Sequence, residues 1–144
     1  MSFEPFMWAT FCDDVRQEVG NKLSFLGVYG PNLIVQSFPT TLVKLCCVMT
    51  VRTPANQRPK SVIFKLVKDE EVIFQAELSP SDLKEDSAIF EEKDKGPVVL
   101  TISTAAQIIG LPLTQHGFLR ARAVVDGKEL RGGALELQAM EAAH

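Results

Sequence analysis

The chain has 144 residues, 46% of them apolar and 23% charged, which is the size and make-up of one folded domain and excludes fibrous and intrinsically disordered classes. Fifteen Lys and Arg against eighteen Asp and Glu leave a net charge of −3, too little positive field for a general polyanion binder, so nucleic acid is not an expected partner. No apolar run is long and uninterrupted enough to cross a bilayer, the longest being Val98 to Leu113 with Thr, Ser, Gln and Pro within it. No membrane partner and no signal segment are expected, so the whole chain, residues 1–144, reads as one cytoplasmic domain.

Residues 1 to 6 read as an N-terminal arm. From 7 to 18 the chain alternates, with Met7, Ala9, Phe11 and Val15 on one face and Trp8, Thr10, Cys12, Asp14, Arg16 and Glu18 on the other. Gly20-Asn21 supplies the positive φ of a tight hairpin turn. Lys22 to Tyr29 then places Leu23, Phe25 and Tyr29 on one side and Leu26 and Val28 on the other, a strand apolar on both faces. Asn32 to Ser37 is a short strand between Gly30-Pro31 and Phe38-Pro39, and Leu42 to Arg52 is dense enough in β-branched and apolar residues for a central strand. Thr53 to Lys60 holds two prolines and reads as a loop.

Ser61 to Lys68 and Val72 to Leu78 alternate around an acidic turn at Asp69, Glu70 and Glu71. That hairpin sends Val62, Phe64, Leu66, Val72, Phe74, Ala76 and Leu78 to the core and Lys65, Gln75 and Glu77 outward. Ser79-Pro80-Ser81-Asp82 has the cap, first-position proline and early acid of a short helical turn. It opens a connector over 79–97 with six acids and three lysines, which reads as a solvated stretch. Val98 to Thr104 is a strand and Ala105 to Leu113 a less regular apolar segment.

Gly117 to Val125 pairs with Lys128 to Gln138 through Asp126-Gly127, a type I′ hairpin signal. Leu119, Ala121, Ala123 and Val125 point inward, which sends Arg120 and Arg122 outward. Leu130 has the opposite parity to Leu135 and Leu137, so all three reach the core only if Gly132-Gly133 holds a bulge. Eight or nine strands with one short helical turn predict an all-β protein, an antiparallel two-sheet sandwich of immunoglobulin-like kind.

Chemistry-bearing groups are few. Cys12, Cys46 and Cys47 are an odd set with two adjacent members, whose side chains point to opposite faces of a strand, so reduced thiols are expected. Asp13-Asp14 is a weak candidate for a hard cation, since calcium needs several oxygen ligands gathered in loops and this pair lies within a strand. Asp13 shares the face of Phe11 and Val15, so it either has a partner, such as Lys22 or a loop amide, or lies where the strand leaves the core. Zinc lacks paired Cys and His spacings, and the chain has no GxSxG, GxxxxGK[ST] or GxGxxG. No catalytic residue, metal or other cofactor is therefore assigned. A competing reading is a cation- or thiol-dependent enzyme that uses Asp13, Asp14, Cys12 and His116, and it requires those groups to converge in one pocket.

The first 38 residues hold seven of the eleven aromatics: Phe3, Phe6, Trp8, Phe11, Phe25, Tyr29 and Phe38. A sandwich has one interior, so the second apolar face of Lys22 to Tyr29 must be covered by the N-terminal arm, by loops or by another chain. The expected function is a non-enzymatic binding or assembly module. Its contact surface is expected at Phe6, Trp8, Phe25 and Tyr29, with Arg120 and Arg122 as anchors for an acidic partner or as cross-strand mates of Glu136 or Glu77. The simplest partner is a second copy in a two-fold dimer.

The pattern Cys12-Asp13-Asp14-x-Arg16-x-Glu18, followed by Lys22, Ser24, Gly27 and Tyr29, resembles that of a family of small bacterial proteins without an assigned activity. The resemblance implies a bacterial or phage-associated cytosolic protein and carries over no catalytic residue. The last third, with Gly117-Phe118 leading to the Asp126-Gly127 hairpin, is similar to many immunoglobulin-like domains, a likeness of fold alone.

Overall fold

Alternation with period two over most of the chain produces nine strands and one turn of 3-10 helix in the computed structural model, which describes residues 3–79 and 99–140. The strands are β1 (Phe6–Glu18), β2 (Lys22–Val28), β3 (Asn32–Val35), β4 (Thr40–Pro54), β5 (Val62–Lys68), β6 (Glu71–Leu78), β7 (Val99–Leu113), β8 (Gly117–Val125) and β9 (Lys128–Ala139). The helical turn is Ala55–Gln57, inside the loop expected at 53–60. The turn expected at Ser79–Asp82 and the connector over 79–97 lie, apart from Ser79, outside the described residues.

Two sheets face each other, one ordered β2-β1-β4-β7 and the other β3-β9-β8-β5-β6, so the all-β sandwich is as expected. Two details differ from the expectation. β3, which the chain forms on passing from β2 of the first sheet to β4 of the same sheet, runs parallel to β9. The segment expected to be less regular after Thr104 continues the strand: β7 is one 15-residue strand laddered to β4, interrupted only at Gly110, which takes φ +69° and forms no pair with Val43.

The core lies between the sheets, with Phe64, Leu66, Leu119, Leu135 and Leu137 from one meeting Met7, Phe11, Leu45, Met49 and Val51 from the other. β1 lies over β9, close enough that a Cβ on Gly132 would stand 2.6 Å from the Met7 Cε. The β8–β9 register shifts by one residue between Arg120 and Arg122, where Gly133 takes φ +108°. This is the bulge that parity demanded, and Leu130, Leu135 and Leu137 are all buried.

A second bulge was not anticipated. The β5–β6 register slips between Leu66 and Val67, so Ile73 packs against the core and Val72, expected inside, is 46% exposed. Phe74, Ala76 and Leu78 lie beyond the slip and keep their inward parity.

Candidate contact surface

β1 is longer than the ladder it shares with its inner neighbour. Residues Phe6 to Cys12 pair with β4, Cys12 also pairs with β2, and Asp14 to Glu18 pair with β2 alone. Past Cys12 the hairpin separates from β4, which itself runs on to Thr40 laddered to β7. The Asp14 carboxylate accepts a 2.7 Å hydrogen bond from the Lys44 Nζ just beyond the last ladder pair. That bond lowers the Asp14 carboxyl from its ordinary range and raises the Lys44 ammonium. A groove of about 240 Å³ opens at this departure point, lined among others by Asp14, Val15, Leu23, Cys46 and Gln107.

The separated hairpin leaves both faces of β2 open. Leu23, Phe25, Leu26 and Val28 are 48%, 38%, 44% and 58% exposed. β2 is also an edge strand, paired on one side only. The described residues of the N-terminal arm do not cover it. Glu4 is tied to Lys128 at 3.0 Å and Phe3 packs edge-on against Phe6, both at the end of β1 opposite to the hairpin turn. There Phe6 stacks on Trp8 at 5.9 Å, and the Arg52 guanidinium lies 5.1 Å above the Trp8 ring. Phe6 and Trp8 thus add an aromatic patch to the outer face of the same sheet.

Tyr29 and the two arginines are placed differently. Tyr29 packs against the core and donates its hydroxyl to the Asp13 Oδ1 at 2.6 Å. Burial, then that bond, pushes its phenol up to about 12. Asp13 has a partner as expected, but it is Tyr29 instead of Lys22 or a loop amide. Arg120 and Arg122 stand on the outer face of the other sheet, away from the hairpin. Arg120 lies over the Phe118 ring at 4.9 Å, and the closest carboxylate to Arg122 is Glu129 at 3.9 Å. Neither expected mate serves them: Glu136 binds His116 and Gln138, and Glu77 is opposite Ile63.

The groups of the enzymatic reading lie apart. Cys12 is buried directly opposite Cys46, and burial is the first cause that raises its thiol, the reverse of an activated nucleophile. Burial also pushes the Cys47 thiol up to about 12. Asp13 is held by Tyr29 and Asp14 by Lys44. His116 is in the bend between β7 and β8, its Nε2 2.6 Å from the Glu136 carboxylate of the second sheet. Among the described residues no three His, Cys, Asp or Glu side chains form a group that could hold a metal ion, and no helix is long and apolar enough to cross a membrane.

Reasoning on the sequence overlooked the residues that flank the arginines. Lys65 and Arg131 are directly opposite Arg122 on its two neighbouring strands. Pairing between distant strands carried no local signal, although Lys65 was already assigned to an outward face. The turn residue Asp126 also does more than turn the chain, since its Oδ1 accepts from the Lys60 and Ser61 amides and ties the β8–β9 hairpin to the start of β5.

The chain belongs to a family of unknown function (DUF6941), whose model matches residues 7–138. No curated protein and no solved structure matches it.

Proposed function

We propose that the protein is a non-enzymatic binding or assembly module whose contact surface is the N-terminal hairpin, and that its partner there is a second copy of the same chain. The observation that carries this reading is β2: an unpaired edge with apolar side chains open on both faces. Soluble proteins blunt such edges with charges, prolines or bulges, because unpaired strands join other strands. β2 has one charge, Lys22 at its end, and no proline.

Self-pairing suits its sequence. Tyr29 donates its amide to the Phe11 carbonyl, and between it and Leu26 the ladder is interrupted at Gly27, which takes φ +66° and leaves Asp13 without a backbone partner on β2. An antiparallel β2–β2 pair about Phe25 sets Ser24 opposite Leu26 and Lys22 opposite Val28. No like charges meet, and two Phe25 rings lie side by side at the two-fold axis. The three buried free thiols support a reducing, cytoplasmic setting, and the N-terminal pattern supports a bacterial or phage-associated source.

Sedimentation velocity over a dilution series tests the reading. The wild type is expected to pass from dimer to monomer on dilution, and the Trp8→Ala, Phe25→Ala double variant to stay monomeric throughout. A wild type that is monomeric at every concentration overturns self-association.

A further inference from the structure

The outer face of the second sheet carries a row of cations whose placement the fold alone does not account for. Lys65 on β5, Arg122 on β8 and Arg131 on β9 are direct cross-strand partners. With adjacent strands about 4.8 Å apart, the row spans roughly 10 Å. Arg120 follows two residues along β8 on the same face. Like charges directly opposite one another destabilise a sheet, and ordinary sheet surfaces alternate their signs.

Carboxylates of the same face do not balance the row. Glu129 comes no nearer to Arg122 than 3.9 Å, beyond hydrogen-bond reach. Glu136 is taken by His116 and Gln138, and Glu77 pairs with Ile63 at the end of β6. The Arg122 side chain is only 16% exposed, and one of its nitrogens donates to the Ala121 carbonyl at 2.8 Å. Burial, then Arg131, lowers its guanidinium from the ordinary value, with Arg120 adding to the effect and Glu129 opposing it. A mostly buried guanidinium that keeps free N–H groups among like charges is matched by a planar oxyanion arriving from outside.

We infer that this face, centred on Arg122 with Lys65, Arg131 and Arg120 around it, docks an acidic segment of a partner protein, one that alternates carboxylate and apolar side chains. The apolar half of that description comes from Val67 and Val124, which are half-buried on the same face next to the cations. Nucleic acid suits the face less well, because a chain of net charge −3 repels a long polyanion before contact. This surface is on the opposite side of the sandwich from the hairpin, so it stands or falls independently of self-association.

The test is fluorescence anisotropy with a labelled peptide alternating Glu and Leu, against the same peptide with Gln for Glu and against a single-stranded oligonucleotide of equal charge. Saturable binding is expected to the Glu peptide alone, weakening as salt rises. Arg131→Glu, at an exposed position, and Lys65→Gln are each expected to weaken it by about tenfold or more. The Trp8→Ala, Phe25→Ala variant is expected to bind as the wild type does. Circular dichroism of each variant guards against unfolding, and Lys65→Gln serves if the charge reversal disturbs the sheet. Absence of binding, equal binding of the Gln peptide, indifference to both substitutions, or preference for the oligonucleotide would each overturn the inference.

Discussion

Asp13, Gly27 and Tyr29 form one device, and its parts explain one another. Gly27 stands opposite Asp13, between the pairs Cys12–Val28 and Asp14–Leu26, with φ +66°. A Cβ there would meet the Asp13 Oδ2 at 2.2 Å and its Cγ at 2.8 Å. The absence of a side chain lets the Asp13 carboxylate lie across the strand and reach the Tyr29 hydroxyl. Gly27→Ala is therefore expected to cost about 1–3 kcal/mol in urea unfolding, from the left-handed backbone and the clash together. In an Asp13→Ala background most of the clash is gone, so the same substitution should cost less, and equal costs in both backgrounds would refute the steric part. Tyr29 is the sole tyrosine of the chain, so tyrosinate absorbance reads it alone. Its midpoint is expected at about 12. In Asp13→Ala the midpoint should fall but stay above the ordinary value near 10, because burial is the larger cause. The folded form holds this proton more tightly than the unfolded form. Its contribution to stability is thus complete below pH 10 and disappears as pH climbs through about 12. The need of Asp13 for a partner was legible from its parity next to Phe11. The identity of that partner was not, since Tyr29 lies across a hairpin whose register depends on the turn.

Turns and bulges were the most legible elements where glycine marks them and the least where it does not. Asn21 at φ 58° and Asp126 at φ 48° sit in the two hairpin turns that Gly-Asn and Asp-Gly announced. The β9 bulge was readable because Leu130 conflicts in parity with Leu135 and Leu137 and two glycines stand between them. The β6 bulge left no such trace: Val72, Ile73 and Phe74 are consecutive apolar residues, so either parity satisfied the pattern until the register with β5 was known. The same limit hid Lys65 and Arg131 beside Arg122, because cross-strand neighbours are set by topology. Deleting Gly133 makes the point testable. Without the extra residue, either Leu130 or the Leu135 and Leu137 pair must leave the core, at about 1.5–3 kcal/mol for each leucine exposed. The deletion should lower the urea midpoint by at least one leucine's worth, whereas Gly133→Ala, which keeps the residue count, should cost only the strain of φ +108°. Similar midpoints for the two variants would mean that the bulge does not set the register.

At the scale of the molecule, the two sheets have different exposed risks. The second sheet ends in β3, only four residues long, and in β6, which carries Glu71 and Glu77. The first sheet ends in β7, 15 residues without a charge but with Pro112, and in β2, with Leu23 to Leu26 uncharged, no proline and the hairpin separated from β4. Apolar content on both faces of Lys22 to Tyr29 was legible from the sequence, but the failure of the N-terminal arm to cover it was not, because only the fold places the arm at the far end of β1. Self-association through a patch of side chains and through the backbone edge differ in one measurable respect. Ser24→Pro removes a backbone donor from β2 while leaving Leu23, Phe25, Leu26 and Val28 in the sequence. Edge pairing predicts that the proline variant is monomeric in sedimentation at concentrations where the wild type is dimeric. A patch contact predicts a dimer that survives the proline and is lost only with Phe25→Ala. Trp8, the sole tryptophan, gives an independent reading: its emission should change little with concentration under edge pairing, because the Phe6–Trp8 stack lies on β1 away from the β2 edge. A dimer that persists in Ser24→Pro, with Trp8 shielded on concentration, would move the interface from the strand edge to the outer face of the sheet.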